Sequence, residues 1–530
     1  MQMASFDAIV IGAGHNGLTC ACYLAKAGLK VLVLERYHAV GGMTISEEIA
    51  APGFLSDVHA SGYLVAKLSR APEELGLAEH GLRLSTPDPN WAQVFPDGRF
   101  FTIGRDVDST VASIAEFSAR DADTWRLLYA RYVAAKPAIV AAMNSAPESL
   151  AAELSVPHGA NGYRFLMQSA RSWVEETFES PEMRLFFASA GLHAGLAPDD
   201  ALGGHFGWLF VSAIQDVGVS IVEGGMHQVT QALGKVLTAH GGAIRTGAEV
   251  AAIEMAKGRA VGVRLTNGER IAIDGPIVSN ADPRHLVLDL LGEAAVGEEI
   301  AGQIRHYEWG PSFFGIYAAL DRPVAFKAGP EPGKVGYVHA SELSLDHLAE
   351  SFVDIRASRL PAHPMVGIIN EAAMDPSRAP VGKSLMKFIV HFVPYRVTGD
   401  AAGRISGGDW DAIKDAYADS ILDWLDDAFL PGLRRCIIAR SIQSPVDYER
   451  RMPSAVRGTH QHGAFLPYQV GAFRPTPEMS RYRSPVANVY LCGAGSHPGS
   501  GITMCPGRNA AVAICSDLKL AFPGKLFVPA

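Results

Sequence analysis

The most specific chemistry in the 530-residue chain sits in Gly12-Ala13-Gly14-His15-Asn16-Gly17. The spacing is G-x-G-x-x-G: the first glycine makes a tight turn, the second lets backbone approach a pyrophosphate, and the third lets a helix pack on a strand. The N–H groups of a helix starting here, with His15 and Asn16 in its first turn, would face phosphate. Glu35 stands where a carboxylate would take a ribose hydroxyl, and its charge disfavours a 2′-phosphate, so NADP is a poor candidate. A dinucleotide site is expected.

The elements that must hold these residues are legible around them. Asp7–Ile11 is an apolar, β-branched run, a helical pattern with Leu18, Ala21 and Leu24 follows the glycines, and Gly28 ends it as a cap. Lys30-Val31-Leu32-Val33-Leu34-Glu35 then reads as a second buried strand. Together they predict one βαβ unit. Glu35-Arg36 followed by Gly41-Gly42 resembles the FAD-binding flavoprotein amine-oxidase and carotenoid-desaturase superfamily. That resemblance selects FAD over NAD and brings Arg36, Gly41, Gly42 and Met43 into the site. Many amine oxidases of the superfamily have arginine where this chain has Met43, which points away from amine oxidation.

Further along, residues 108–215 are rich in helix formers and read as a helical insertion. Gly224-Gly225 opens a helix with Met226, Val229, Leu233 and Val236, closed by Gly241-Gly242. Strands at 249–253, 260–265 and 270–273 follow, with Asn267-Gly268 as a hairpin signal. A meander at this position resembles the same flavoprotein fold, where the backbone at Val250 would contact adenine. Ile277–Pro283 would return the chain to the cofactor domain. From 301 to 480 the pattern is strands, such as 313–317 and 386–392, with a helix around 410–429.

The expected fold class is therefore α/β, an FAD-binding Rossmann-type domain of the amine-oxidase/glutathione-reductase kind with an interleaved α+β substrate domain and a helical insertion. The expected division is 1–85, 220–300 and 481–530 for the discontinuous FAD domain, 86–219 for the mainly helical, substrate- or membrane-facing insertion, and 301–480 for the substrate domain.

Near the end, Tyr490-Leu491-Cys492-Gly493-Ala494-Gly495-Ser496-His497-Pro498-Gly499-Ser500-Gly501 is a strand running into glycines, with a helix beyond. The pattern looks like the phytoene desaturase family, particularly its branch of bacterial carotenoid ketolases and pyridine nucleotide-disulfide oxidoreductase-domain proteins. The resemblance covers about the first sixty residues, 224–283 and the last forty. It implies that the segment with Gly493, Gly495, Gly501, Ile502 and Thr503 lies against the isoalloxazine, with the following helix aiming its positive end at the flavin N1 region, where reduced flavin carries negative charge. No second G-x-G-x-x-G is present, so electrons are expected to leave to oxygen or a quinone.

The resemblance also places His59 and Tyr63 beside the flavin, and with His497 they are the candidate catalytic residues. For His497 a hydrogen bond that fixes its loop is the preferred reading. His460-Gln461-His462 lacks a supporting carboxylate or cysteine cluster, so no metal site is expected and a loop near the flavin is. The run Phe206-Gly207-Trp208-Leu209-Phe210-Val211 could wall a substrate tunnel, touch a bilayer or fill a core. Ser377–Ser384 resembles a P-loop, but Ser377 replaces its first glycine and Pro380 removes a donor, so it reads as a turn before a strand. Cys20 and Cys22 are expected to be buried.

Composition excludes other classes. With 48% hydrophobic and 19% charged residues the chain can bury a large core, and 46 basic against 55 acidic residues give -9 with no like-charge run, which argues against nucleic-acid binding. Mean hydropathy is +0.11, yet no stretch of about 20 apolar residues exists, so peripheral membrane contact stays open while a spanning helix does not. Six cysteines without a C-x-x-C pair fit neither a disulfide framework nor zinc. A cytoplasmic location is expected, with membrane association left open and no leader to remove.

The expected function is FAD-dependent oxidation of a hydrophobic polyene or isoprenoid-like substrate, with hydride passing to flavin N5. Two alternatives stand beside it. One is a non-redox isomerase or hydratase of a double bond; the other is a binding protein like the guanine-nucleotide dissociation inhibitors, whose glycine and C-terminal segments do not look like these.

Overall fold

A computed structural model describes residues 6–148 and 159–527. The parts of the expected segments at 1–5, 149–158 and 528–530 lie outside the described residues.

Ala8–Ile11 and Val31–Leu34 are buried along their whole length, which fits β-branched runs covered on both faces. They pair in parallel, Val10 opposite Val33, within a five-stranded sheet ordered Val489–Leu491, Ile277–Ser279, Ala8–Ile11, Val31–Leu34, Ala243–Arg245. Strands from three distant parts of the chain thus meet in one sheet. The helices His15–Lys26, His227–Ala239 and Cys505–Asp517 share one core with it, through Leu18, Leu233 and Ile514 among others. The antiparallel meander of Val250–Ala256, Arg259–Leu265 and Arg270–Ala272 packs with Ile9, Ile11 and Leu34.

A second sheet has seven strands, ordered Ile437–Gln443, Ser312–Leu320, Ser384–Val393, Met365–Asn370, Tyr337–Ala340, Trp91–Val94, Phe100–Ile103. Side chains alternate across it. Met386, Phe388 and Val390 share a core with the helix Trp410–Ala428 through Ile413, Tyr417 and Ile421, while Lys387, Ile389 and His391 line the cavity described below.

The segment read as mainly helical forms helices at Val107–Ala115, Ala119–Met143, Gly159–Met167, Ala170–Thr177, Pro181–Gly191 and Gly203–Val217. Four of them start on a side-chain cap: Asp106, Ser118, Ser169 and Ser180 each accept from the backbone N–H three residues on. The same segment also gives the seven-stranded sheet its last two strands, Trp91–Val94 and Phe100–Ile103. They turn back through Pro96-Asp97-Gly98, where the Phe95 N–H donates to Arg99 O at 3.0 Å. Among the described residues no helix is long and apolar enough to cross a membrane.

Candidate active site

One cavity of about 930 Å³ runs from the glycine turn of the parallel sheet to the open face of the seven-stranded sheet. At its first end Gly12 has φ +96, a conformation that side chains resist, and the helix His15–Lys26 begins directly behind Gly14. A Cβ on Gly17 would stand 2.2 Å from Gly12 O, and one on Gly14 would stand 2.8 Å from Asn280 Nδ2. The turn is therefore closed on itself by Gly17 and roofed by Asn280, leaving Gly12, Gly14, His15 and Asn16 on the cavity wall.

Glu35 is fixed by two backbone donors, Ala13 N to Oε2 and Tyr37 N to Oε1, each at 2.8 Å. Its remaining lone pairs face the cavity, available to ribose hydroxyls. Val250 and Arg36 line the same end, and Arg36 is steered by Glu249 at 3.2 Å.

A second helix N-terminus converges on this cavity. Gly501, Ile502 and Thr503 line it, and the helix Cys505–Asp517 follows. Ile502 and Met504 hold φ of +57 and +60, an uncommon conformation for side-chain-bearing residues that cluster at functional sites. Gly507 makes the convergence possible, because a Cβ there would lie 2.1 Å from Asn16 O.

Three features of this end fit FAD. Two helix N-termini face one cavity and suit a pyrophosphate and a ring that gains negative charge. The buried atoms His15 Nε2 and Asn16 Oδ1 have no hydrogen-bond partner in the chain. The glycines leave space no side chain could share.

The remaining expected site residues divide. Gly42 and Met43 line the cavity. Gly41 packs on Ile45, Gly493 against Asn280 O and Gly495 against Pro283, so these three, like Gly17, shape the wall from behind. Neighbouring Ala494 reaches the cavity.

His59 lines the cavity, lies tilted against Tyr448 with ring centroids 5.0 Å apart and has an unpartnered Nε2. Burial, then the charges of Lys387 and Arg451, hold its pKa well below the ordinary value, so the imidazole is neutral. Tyr63 is a correction. Its ring belongs to the core of the first sheet with Leu18, Val222 and Met226, and its backbone pairs with Ser220 on both sides. The loop 58–62 turns His59 outward and Tyr63 inward, and burial pushes the Tyr63 phenol above its usual range.

His497 also lines the cavity, but its Nε2 is engaged by Ala142 O at 3.0 Å, which fixes the loop. Burial lowers its pKa to about 4. His460 and His462 line the cavity too, and no metal-holding group of side chains occurs among the described residues. The aromatic run is split: Phe206, Leu209 and Phe210 face the cavity, Val211 lies in a core, and Trp208 is nearly buried and bonded to Leu128 O. Cys20 and Cys22 are buried.

Sequence reasoning missed Lys387. Its buried amine donates to Asp57 O at 2.7 Å, to Ser61 Oγ at 2.8 Å and to His59 O. Beneath it Arg378, fully buried, pairs with Asp57 at 2.8 Å, Glu371 at 3.2 Å and Asp375 at 3.3 Å. Burial pushes Lys387 down and Glu371 up from their ordinary values. This charge cluster ties the loop that carries His59 to the seven-stranded sheet.

Two glycines let tyrosines pack close over that sheet. Gly315 and Gly367 flank Ile389 in register. A Cβ on Gly315 would stand 2.2 Å from Tyr448 Oη, and one on Gly367 would stand 2.2 Å from Tyr337 Oη. The two tyrosine rings occupy the space the missing side chains leave. Trp91, Phe210, Phe313 and Phe465 complete a largely apolar enclosure.

A dinucleotide cradle opening into an apolar aromatic chamber is the arrangement of a flavoprotein that oxidises an organic molecule, and comparison with known proteins agrees. Over 97% of its length the chain is 30% identical to a rat protein called pyridine nucleotide-disulfide oxidoreductase domain-containing protein 2, covering 94% of that protein. It is 26% identical to a lycopene-forming phytoene desaturase of Pseudescherichia vulneris, over 97% of this chain and 98% of that one. The cyclohexylamine oxidase of Brevibacterium oxydans has the same fold, with a TM-score of 0.60 at 18% identity over 97% of this chain and 99% of that one. The family model for flavin containing amine oxidoreductases matches residues 17–515, and the chain belongs to that family as an FAD-dependent oxidoreductase.

Proposed function

We propose that this oxidoreductase acts on a hydrophobic polyene or isoprenoid-like substrate, introducing or extending a double bond. The observation that carries the reading is the continuity of the cavity: the wall formed by Met43, His59 and Gly501–Thr503 opens directly into the chamber of Trp91, Phe210, Phe313 and Ile389. Likeness to phytoene desaturases supports it.

Bound FAD supplies a two-electron acceptor. The chain's own residues do the rest. Gly12, Gly14, His15, Asn16, Glu35, Arg36 and Val250 would hold the dinucleotide, and the Cys505–Asp517 helix end would favour negative charge on a ring bound before it. Aromatic and aliphatic walls hold an extended apolar molecule and exclude water. Neutral His59 is placed to accept a proton at Nε2 if one leaves the substrate.

Delivery from a lipid surface suits such a substrate, and the helix Ala119–Met143 carries exposed Leu127 and Val133 beside the cavity-lining Tyr132, Ile139 and Met143.

Mass analysis of the product from a carotenoid precursor tests the proposal. Loss of two hydrogens per turnover is expected; an isomer of unchanged mass, or addition of water, would replace it with the non-redox reading.

A further inference from the structure

The chamber is apolar in outline but not throughout. Three residues that line one part of it carry a buried nitrogen with no hydrogen-bond partner in the chain, Trp91 Nε1, His391 Nδ1 and His460 Nδ1, and His339 Nδ1, in the ring stacked on His193, has none either. Buried polar atoms are paired in the great majority of cases, so four orphans in one cluster are a signal.

The rings are packed together. His193 Nε2 lies 3.0 Å from His339 Nε2, His391 Nε2 lies 3.2 Å from Tyr337 Oη, and Phe313 stands between His391 and His460 at 5.3 and 4.3 Å. Trp91 stacks on Tyr337 at 4.5 Å. Trp91, His193, Tyr337, His391 and His460 all line the cavity, and His339 lies behind His193.

The Tyr337–His391 pair has a property independent of tautomer. If the phenol donates to Nε2, His391 carries its proton on Nδ1 and keeps a free donor while the phenolic oxygen keeps free lone pairs. If Nε2–H donates instead, the phenol keeps its free O–H and Nδ1 its lone pair. Either way the pair offers one donor and one acceptor. A hydrocarbon can use neither, a hydroxyl can use both, and a carbonyl can use the donor.

Resting on the function proposed above, we infer that the substrate carries one neutral oxygen function, a hydroxyl or carbonyl, which docks among Tyr337, His391 and His460. A carboxylate is disfavoured, because burial keeps His193 and His460 at a pKa of about 3 and so neutral.

Binding to the FAD-loaded enzyme, followed by quenching of tryptophan fluorescence, tests this without turnover. The probes are a C20 isoprenoid alcohol, the hydrocarbon of the same skeleton and the corresponding carboxylate. The alcohol is expected to bind at least tenfold tighter than either, because a site built to bond a hydroxyl rejects the analogue lacking it. In His391→Leu and Tyr337→Phe the preference should fall below about threefold.

Equal binding of alcohol and hydrocarbon by the wild-type protein would overturn the inference, whatever the variants do; it would mean that the orphan nitrogens bind only water. Preference for the carboxylate would overturn it too. Failure of the parent reading looks different: no polyene, oxygenated or not, would reduce the flavin, even where the alcohol binds.

Discussion

Lys387 and His391 project from the same face of one strand into one cavity, with Ile389 between them. Lys387 grips the loop that carries His59, while His391 pairs with Tyr337 at the aromatic end. A single strand thus joins the loop of His59 to the aromatic end of the cavity.

Lys387→Met should destabilise the FAD-loaded protein by about 1–3 kcal/mol, the cost of leaving buried acceptors without their donor. Three backbone and hydroxyl acceptors on the 57–61 loop lose their donor at once. Thermal melting with FAD present checks this, and the flavin spectrum should shift with it. A melt unchanged within error would show that the amine is not what holds the loop.

Gly14→Ala and Gly17→Ala should separate by their obstacles. The Gly14 Cβ meets a side chain, Asn280, which can be removed; the Gly17 Cβ meets a backbone oxygen, which cannot. FAD binding by isothermal titration is expected to weaken roughly tenfold or more, about 1.4 kcal/mol, in each. Adding Asn280→Ala should restore thermal stability in the first variant and not in the second. Rescue of both, or of neither, would contradict the geometry.

Gly367→Ala should leave FAD bound but impair use of the chamber, since its Cβ would overlap the Tyr337 ring. Overpacking of this kind costs about 1–3 kcal/mol. The expected pattern is a raised KM for polyene with unchanged flavin content. Loss of flavin instead would show that the two ends of the cavity are not separable.

Stability should fall as pH drops below about 6.5, the ordinary histidine value. Burial lowers His15 to about 4, His462 to about 3, and His339 and His391 well below the ordinary value. Below pH 6.5 the unfolded chain binds protons that the folded chain refuses, so stability is complete above that pH and lost beneath it. The slope is at most about 1.4 kcal/mol per pH unit for each group. Glu371 and Asp282, each raised to about 7 by burial, oppose this, and two carboxyls are outnumbered by the four imidazoles. Denaturant melts at pH 7.5, 6.5 and 5.5 check it; equal midpoints at the last two would refute it.

The cofactor half was legible because its determinants are local. Gly12 to Gly17, the runs on either side and Glu35 lie within thirty residues, and Asn267-Gly268 marks its hairpin where two strands meet. The charge cluster was not legible, since Asp57, Glu371, Arg378 and Lys387 come together across more than 300 residues. Arg378 lies inside the Ser377–Ser384 segment that reads as a turn, and it is a turn: a single 3-10 turn at Pro376–Arg378 precedes the strand beginning at Ser384. No local pattern shows that its guanidinium is buried. Tyr63 went the other way for a related reason: an irregular loop has no period from which to read the direction of a side chain. The imidazoles of His193, His339, His391 and His460 come from separate elements, and only the folded chain brings them to one chamber.

Anaerobic absorbance of the FAD-loaded enzyme, before and after adding polyenes in liposomes, tests the central claim most directly. The flavin bands should bleach with a polyene, with one new double bond formed for each flavin reduced. Oxidised bands that persist with every polyene would contradict the account.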